Sequence, residues 1–169
     1  MPLGFGSRRG RTASLLLGGT ALAALLALGT ALVSQHAFEM QPCPWCVLQR
    51  LIFVVIAVVC GLGWAVRHAT LRRVAAGLAL GLAGCGIGAA LWQHFRAAAS
   101  ASCNLTLADK IVNGALQLDS LLPEVFAVRA SCADAAVNLL GVPYDFWSLA
   151  LFTAMAVAMA VAVQRAGGR

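Results

Sequence analysis

The sequence predicts an all-α membrane protein, an antiparallel bundle of four transmembrane helices with a short interfacial helix in its second outer connection. Three observations carry that reading. The 169 residues are 61% hydrophobic and only 11% charged, with mean hydropathy +0.86, a composition foreign to soluble domains. Four apolar runs stand at residues 14–33, 47–66, 74–92 and 144–163. At about 1.5 Å per residue, about twenty helical residues make roughly 30 Å, one hydrocarbon thickness. The third observation is that basic and acidic residues sort onto alternate connections.

Residues 1–13 carry Arg8, Arg9 and Arg11. The first run is longer than a signal-peptide core, and no convincing A-x-A cleavage site precedes Phe38, so it reads as a retained span. The connection 34–46 holds Glu39 and neither Lys nor Arg. After the second run, the link 67–73 is tight and basic (Arg67, His68, Arg72, Arg73), which makes spans two and three antiparallel neighbours. In span three, Gly77, Gly81, Gly84 and Gly88 share one helical face and predict close approach of another helix. The long connection 93–143 contains Cys103, Cys132 and most of the acids. Within it Leu118, Leu121, Leu122, Val125 and Phe126 fall on one side of a helix, with Ser120 as cap and Pro123 in the first turn. Between two spans such a helix is expected to lie flat on the bilayer, apolar side down. Tyr144, Phe146 and Trp147 head the last span as an aromatic anchor, and 164–169 is a basic tail.

Orientation follows from the arginines. Segments 1–13, 67–73 and 164–169 hold Arg8, Arg9, Arg11, Arg67, Arg72, Arg73, Arg165 and Arg169 with no acid. The other two connections and their borders hold Arg96, Lys110 and Arg129 against Glu39, Asp109, Asp119, Glu124, Asp134 and Asp145. The positive-inside rule puts both termini in the cytoplasm, and 34–46 and 93–143 outside. A net charge of +6 does not signal nucleic acid, because the basic residues form no stripe and have no aromatic interleaving. His36 and His68 have no supporting context.

Of six cysteines, Cys60 and Cys85 lie inside apolar runs and read as small core residues. Cys43, Cys46, Cys103 and Cys132 share the outer side, which suits an oxidising compartment. Pro44 fits the first position of the second helix, with Cys43 near its N-cap and Cys46 in its first turn. Unpaired N–H groups and the helix dipole favour a thiolate there. Arg50, four residues beyond Cys46, lies on the same face. A neighbouring cation makes a cysteine a better attacking or leaving sulfur.

Four cysteines allow three pairings. Pairing within each connection would give two dithiol/disulfide couples on one surface, able to relay electrons by exchange. A loop couple reaches a soluble partner, and a helix couple reaches a lipid-soluble two-electron acceptor, hence a quinone, with Arg50 as donor to its carbonyl. Two other readings compete. A thiolate zinc site is disfavoured because Cys103 and Cys132 are 29 residues apart rather than a compact second pair, and because it leaves Arg50 unexplained. A four-span scaffold with structural disulfides would have slow, hard-to-reduce cysteines.

The segment Pro42-Cys43-Pro44-Trp45-Cys46 with Gln49 and Arg50, the Cys103 to Cys132 loop, and Cys132-Ala133-Asp134 followed by Leu140-Gly141 resemble the DsbB family. The resemblance covers essentially the whole chain and fits better than the vitamin K epoxide reductase type. It implies a bacterial inner-membrane enzyme that reoxidises a periplasmic DsbA-like thiol oxidase with a quinone, ubiquinone or menaquinone, and no metal. It further implies redox-active disulfides Cys43–Cys46 and Cys103–Cys132. Cys103 would be attacked by the partner, Cys132 would attack Cys43, and Cys46 would pass electrons to quinone. Arg50 and Gln49 would support the quinone. Family members often carry a histidine near the outer end of span three that is implicated at the quinone; the aligned position here is Ala90, and the nearest histidine, His94, a turn further on, is the candidate for that role.

Overall fold

Each apolar run becomes a long helix, and the connections carry only short structure. The computed structural model describes residues 8–97, 108, 110–115, 117–135, 138–139 and 141–166. Helix α1 is Arg8–Ala37, α2 Pro44–Ala65 and α3 Ala69–Trp92. A π-helical turn, Gln93–Ala97, prolongs α3, and a second, Lys110–Ala115, stands in the long connection. Two single turns follow, α4 (Leu118–Leu121) and α5 (Pro123–Phe126). A two-residue antiparallel pair, β1 (Asn138–Leu139) and β2 (Val142–Pro143), leads into α6, Tyr144–Ala166. Among the described residues four stretches are long and apolar enough to cross a bilayer: Gly10–Ala37, Pro44–Ala65, Ala69–Arg96 and Tyr144–Ala166. The first and third outrun the apolar segments because polar residues at their ends continue the helix.

The four long helices close a ring, α1 on α2 and α6, α3 on α2 and α6. Inside it Leu17, Ile56, Cys60, Ala79, Ala83, Phe152 and Met159 are fully buried. Phe53 of α2 stacks on Phe152 of α6 with ring centroids 4.2 Å apart. Gly86 makes that stack possible, since a Cβ there would sit 2.5 Å from the Phe152 ring.

The expected glycine face is corrected by this packing. Nothing lies within 4 Å of a Cβ built on Gly77, Gly81, Gly84 or Gly88. The buried face of α3 is Ala76, Ala79, Ala83, Gly86 and Ala90. Alanine is small enough to let helices approach, and in a bilayer both faces are apolar, so periodicity alone does not say which one turns inward. Cys85 lies on the exposed side and is not a core residue, whereas Cys60 is buried.

The single surface helix expected from Leu118 to Phe126 is divided at Leu122, whose backbone is non-helical (φ −139, ψ 68). The ring of Pro123 disfavours helical geometry at the residue before it. Ser120 is not the cap: Gln117 holds that position with φ 48, and the Ser120 hydroxyl donates to the Gln117 carbonyl. The apolar side chains therefore part company. Phe126 is buried with Val47 and Val112, while Leu121 and Leu122 are exposed.

Candidate active site

The first turn of α2 presents two sulfurs in different directions. Cys43 is the N-cap, in extended conformation, and Pro44 opens the helix, as the sequence predicts. The Cys46 amide donates to Cys43 Sγ at 3.3 Å. The two sulfurs are 2.8 Å apart and both are free thiols. Its hydrogen bond to Cys46, reinforced by burial, pushes the Cys43 thiol above the ordinary range.

Cys132 is brought to this turn by backbone contacts. The Arg129 and Ala130 amides both donate to the Pro42 carbonyl, at 3.1 and 3.3 Å. Ser131 then bonds Asp134 at 2.6 Å and receives the Asp134 amide, which fixes the turn containing Cys132. Cys132 is buried in one cluster with Cys43, Trp45 and Ala89, with Cys46 packed alongside. It is disulfide-bonded. Cys103 lies outside the described residues.

Arg50 is buried (6% exposed) and its fork is filled by neutral oxygens. Nη1 donates to Gln35 Oε1 at 2.7 Å and to the Val125 carbonyl at 3.0 Å. Nη2 donates to the Ala31 carbonyl at 3.3 Å. Among the described residues no carboxylate pairs with it, so its charge stays available to the sulfurs. Gln35 also donates to the Glu124 carbonyl at 3.4 Å, and His36 pairs with the Glu124 side chain at 3.0 Å. Together these bonds dock the loop that leads to Cys132 onto α1 and α2.

Gln49 and Gln93 complete the polar rim. Gln49 Nε2 donates to Gln93 Oε1 at 2.8 Å, and Gln93 Nε2 donates to Cys46 Sγ at 3.4 Å. Gln93 begins the π turn, and its backbone N–H is shared by the Ala89 and Ala90 carbonyls. Such turns frequently mark functional positions.

Below this rim opens a cavity of about 730 Å³, within the usual size range of ligand pockets. Leu26, Ala27, Phe53 and Leu151 form its apolar depth; Cys46, Gln49, Arg50, Gln93 and Tyr144 form its polar end. Of the described cysteines only Cys46 lines it. His94 stands behind the wall: its Nδ1 meets Asp145 Oδ2 at 2.8 Å, its ring is edged by Phe95 and Phe146, and it is Asp145 that faces the cavity. The structure thus gathers Cys43, Cys46, Cys132, Gln49 and Arg50, and holds His94 one layer out. Gln35 and Gln93 were missed by sequence reasoning. A polar side chain at the end of an apolar run was the signal available for Gln93.

Comparison with known proteins gives a consistent picture. The family described as disulfide bond formation protein DsbB matches residues 11–162. Disulfide bond formation protein B of Herminiimonas arsenicoxydans is 33% identical over 138 residues, 81% of this chain and 86% of that protein. The Aromatoleum aromaticum protein of the same name is 34% identical over 161 residues, 93% and 95% of the two chains. That of Burkholderia pseudomallei is 32% identical over 163 residues, 96% and 94%. The similarity runs from the first span into the last and through both cysteine-bearing connections, so the chain belongs to the DsbB family, multi-pass membrane oxidoreductases of disulfide bond formation.

Proposed function

We propose that this protein reoxidises a DsbA-like dithiol oxidase in the periplasm and passes the electrons to a quinone in the bacterial inner membrane, with both termini cytoplasmic. One observation carries the reading: Cys43 shares a buried cluster with Cys132, whereas Cys46 faces the cavity. That difference supports a couple in which Cys43 meets the donor sulfur and Cys46 the acceptor.

The steps balance as sulfur exchange. A partner thiolate attacks Cys103, the bond to Cys132 breaks, and Cys132 leaves as thiolate. Cys132 Sγ attacks Cys43 Sγ, and the electron pair of the Cys43–Cys46 bond departs on Cys46. The partner's second thiol resolves its link to Cys103, and Cys103 then displaces Cys43 from Cys132. The partner ends as a disulfide, the loop couple is restored, and Cys43 and Cys46 are a dithiol. A quinone, ubiquinone or menaquinone, supplies a two-electron, two-proton acceptor that returns the dithiol to the disulfide and leaves as hydroquinone. The residues fit such a group: the apolar depth suits ring and tail, and Arg50 and Gln49 offer N–H donors at the polar end.

The test is oxidation of the reduced partner in membranes with and without added quinone. Turnover is expected only with quinone, and replacing Cys103 or Cys132 should stop it while Cys43–Cys46 remains reoxidisable. Full activity in all four single cysteine variants would overturn the relay. Reporter fusions active only outside should respond at Ala37 and Asn113 and stay silent at Thr70 and Arg169; activity at Thr70 would overturn the orientation.

A further inference from the structure

The relay leaves open what receives the charge that develops on Cys46 when its disulfide opens. Two buried side-chain amides answer from the geometry. Gln49 and Gln93 are 4% and 6% exposed, so each must satisfy its polar atoms within the protein. An amide has two faces, and the contacts decide which one Gln93 shows. Its Oε1 is taken by the N–H of Gln49 at 2.8 Å, which turns its own N–H groups toward Cys46 Sγ, 3.4 Å away. As half of a disulfide or as a thiolate, Cys46 sulfur carries no hydrogen and can only accept. A donor is therefore the matching face in both states.

We infer that Gln93 is a catalytic hydrogen-bond donor to the Cys46 sulfur and that Gln49 is the positioning residue that holds its amide in the donating orientation. The inference rests on the redox reading above and adds to it the group that stabilises the leaving sulfur. When Cys132 Sγ attacks Cys43 Sγ, the Cys43–Cys46 bond breaks and its electron pair goes to Cys46. The Gln93 N–H then strengthens its bond to the new thiolate, and no proton is transferred. A donor already aimed at the atom where charge appears lowers the barrier without reorganising at the moment of reaction. Arg50 adds its charge from the same helix face, but its fork is occupied by Gln35, Val125 and Ala31. Besides the neighbouring Cys43 thiol, which is bonded to Cys46 itself while the couple is a disulfide, Gln93 is the side chain whose donor reaches the sulfur.

The experiment uses the full-length protein in detergent with Cys43–Cys46 reduced. Alkylation of Cys46 is followed against pH by mass spectrometry, alongside quinone-dependent turnover. Gln93→Leu removes the donor without adding charge. The Cys46 midpoint is expected to rise by about one pH unit, a tenfold loss of thiolate near neutrality, and kcat to fall about tenfold. Gln49→Met keeps Gln93 but frees its amide, so a smaller rise in the same direction is expected, and it serves as a second probe if Gln93→Leu does not fold. An unchanged Cys46 midpoint in a folded Gln93→Leu protein, or in Gln49→Met when that is the probe available, overturns the inference. If the wild-type protein shows no quinone-dependent turnover yet the midpoint moves as described, the redox reading fails while the hydrogen bond to Cys46 stands.

Discussion

Arg50→Lys tests whether the guanidinium serves as a fork or only as a charge. Nη1 reaches Gln35 Oε1 at 2.7 Å and the Val125 carbonyl at 3.0 Å, and Nη2 reaches the Ala31 carbonyl at 3.3 Å. A lysine ammonium is a single nitrogen and cannot hold all three oxygens while also offering an N–H to the cavity. A hydrogen bond from a charged donor contributes about 1.5–3 kcal/mol. Losing one at the weak end, about 1.5 kcal/mol, corresponds to roughly a tenfold change in binding. Arg50→Lys should therefore raise the KM for quinone about tenfold. Arg50→Met should raise it more, and should also slow transfer from the partner, because Val125 loses its anchor and the loop leading to Cys132 loosens. Gln35→Met separates the two effects: partner oxidation slows while the quinone KM stays within about threefold. The assays are quinone-dependent kinetics in detergent and protease cleavage between residues 118 and 130. An Arg50→Met protein with wild-type KM and wild-type protease resistance would refute this account of Arg50.

Three further outcomes follow from the packing and the charges. Gly86→Ala should destabilise the bundle by about 1–3 kcal/mol, because the new methyl meets the stacked Phe152 ring. Gly81→Ala, on the open face, should leave thermal unfolding unchanged. Cys60→Ala loses a buried contact with Met159 Sδ at 3.7 Å and should cost about 1 kcal/mol; Cys85→Ala should cost nothing, and both should keep full partner oxidation. The hydrogen bond from His36, then Arg129, holds the Glu124 carboxyl below its ordinary value of 4.5. Its contribution to loop docking is present above that value and is lost as pH falls through the lower, folded one. Loop proteolysis should rise on acidification, and Glu124→Gln should abolish the dependence.

Much of this was legible in the residues because it is local. Apolar length gives the four spans, and Pro44 between two cysteines gives the helix start and the N-cap. What was misread or missed depends on direction or distance. Gly77, Gly81, Gly84 and Gly88 do share a face, but hydropathy cannot distinguish lipid from a neighbouring helix, and the alanine face carrying Gly86 is the one that packs. The apolar pattern from Leu118 to Phe126 is helical in period, yet Pro123 breaks it one residue earlier, at Leu122. The acceptors of Arg50 went unread because Gln35 on α1 and Val125 in the loop are remote in sequence. Gln93 is 47 residues from the sulfur it touches, and nothing local announces that contact.

The central claim is that Cys43 receives electrons from Cys132 while Cys46 faces the acceptor. Its most direct measurement is disulfide mapping by mass spectrometry of variants that lack one cysteine of the helix couple and keep the loop couple oxidised. In the Cys46→Ala protein the free Cys43 thiolate can attack Cys132 of the Cys103–Cys132 disulfide and expel Cys103 as a thiolate, so a Cys43–Cys132 bond should accumulate. In the Cys43→Ala protein no Cys46–Cys132 bond should form, because Cys46 is turned to the cavity. A Cys46–Cys132 bond in the second variant, or continued partner oxidation in the first without any Cys43–Cys132 bond, would contradict the account.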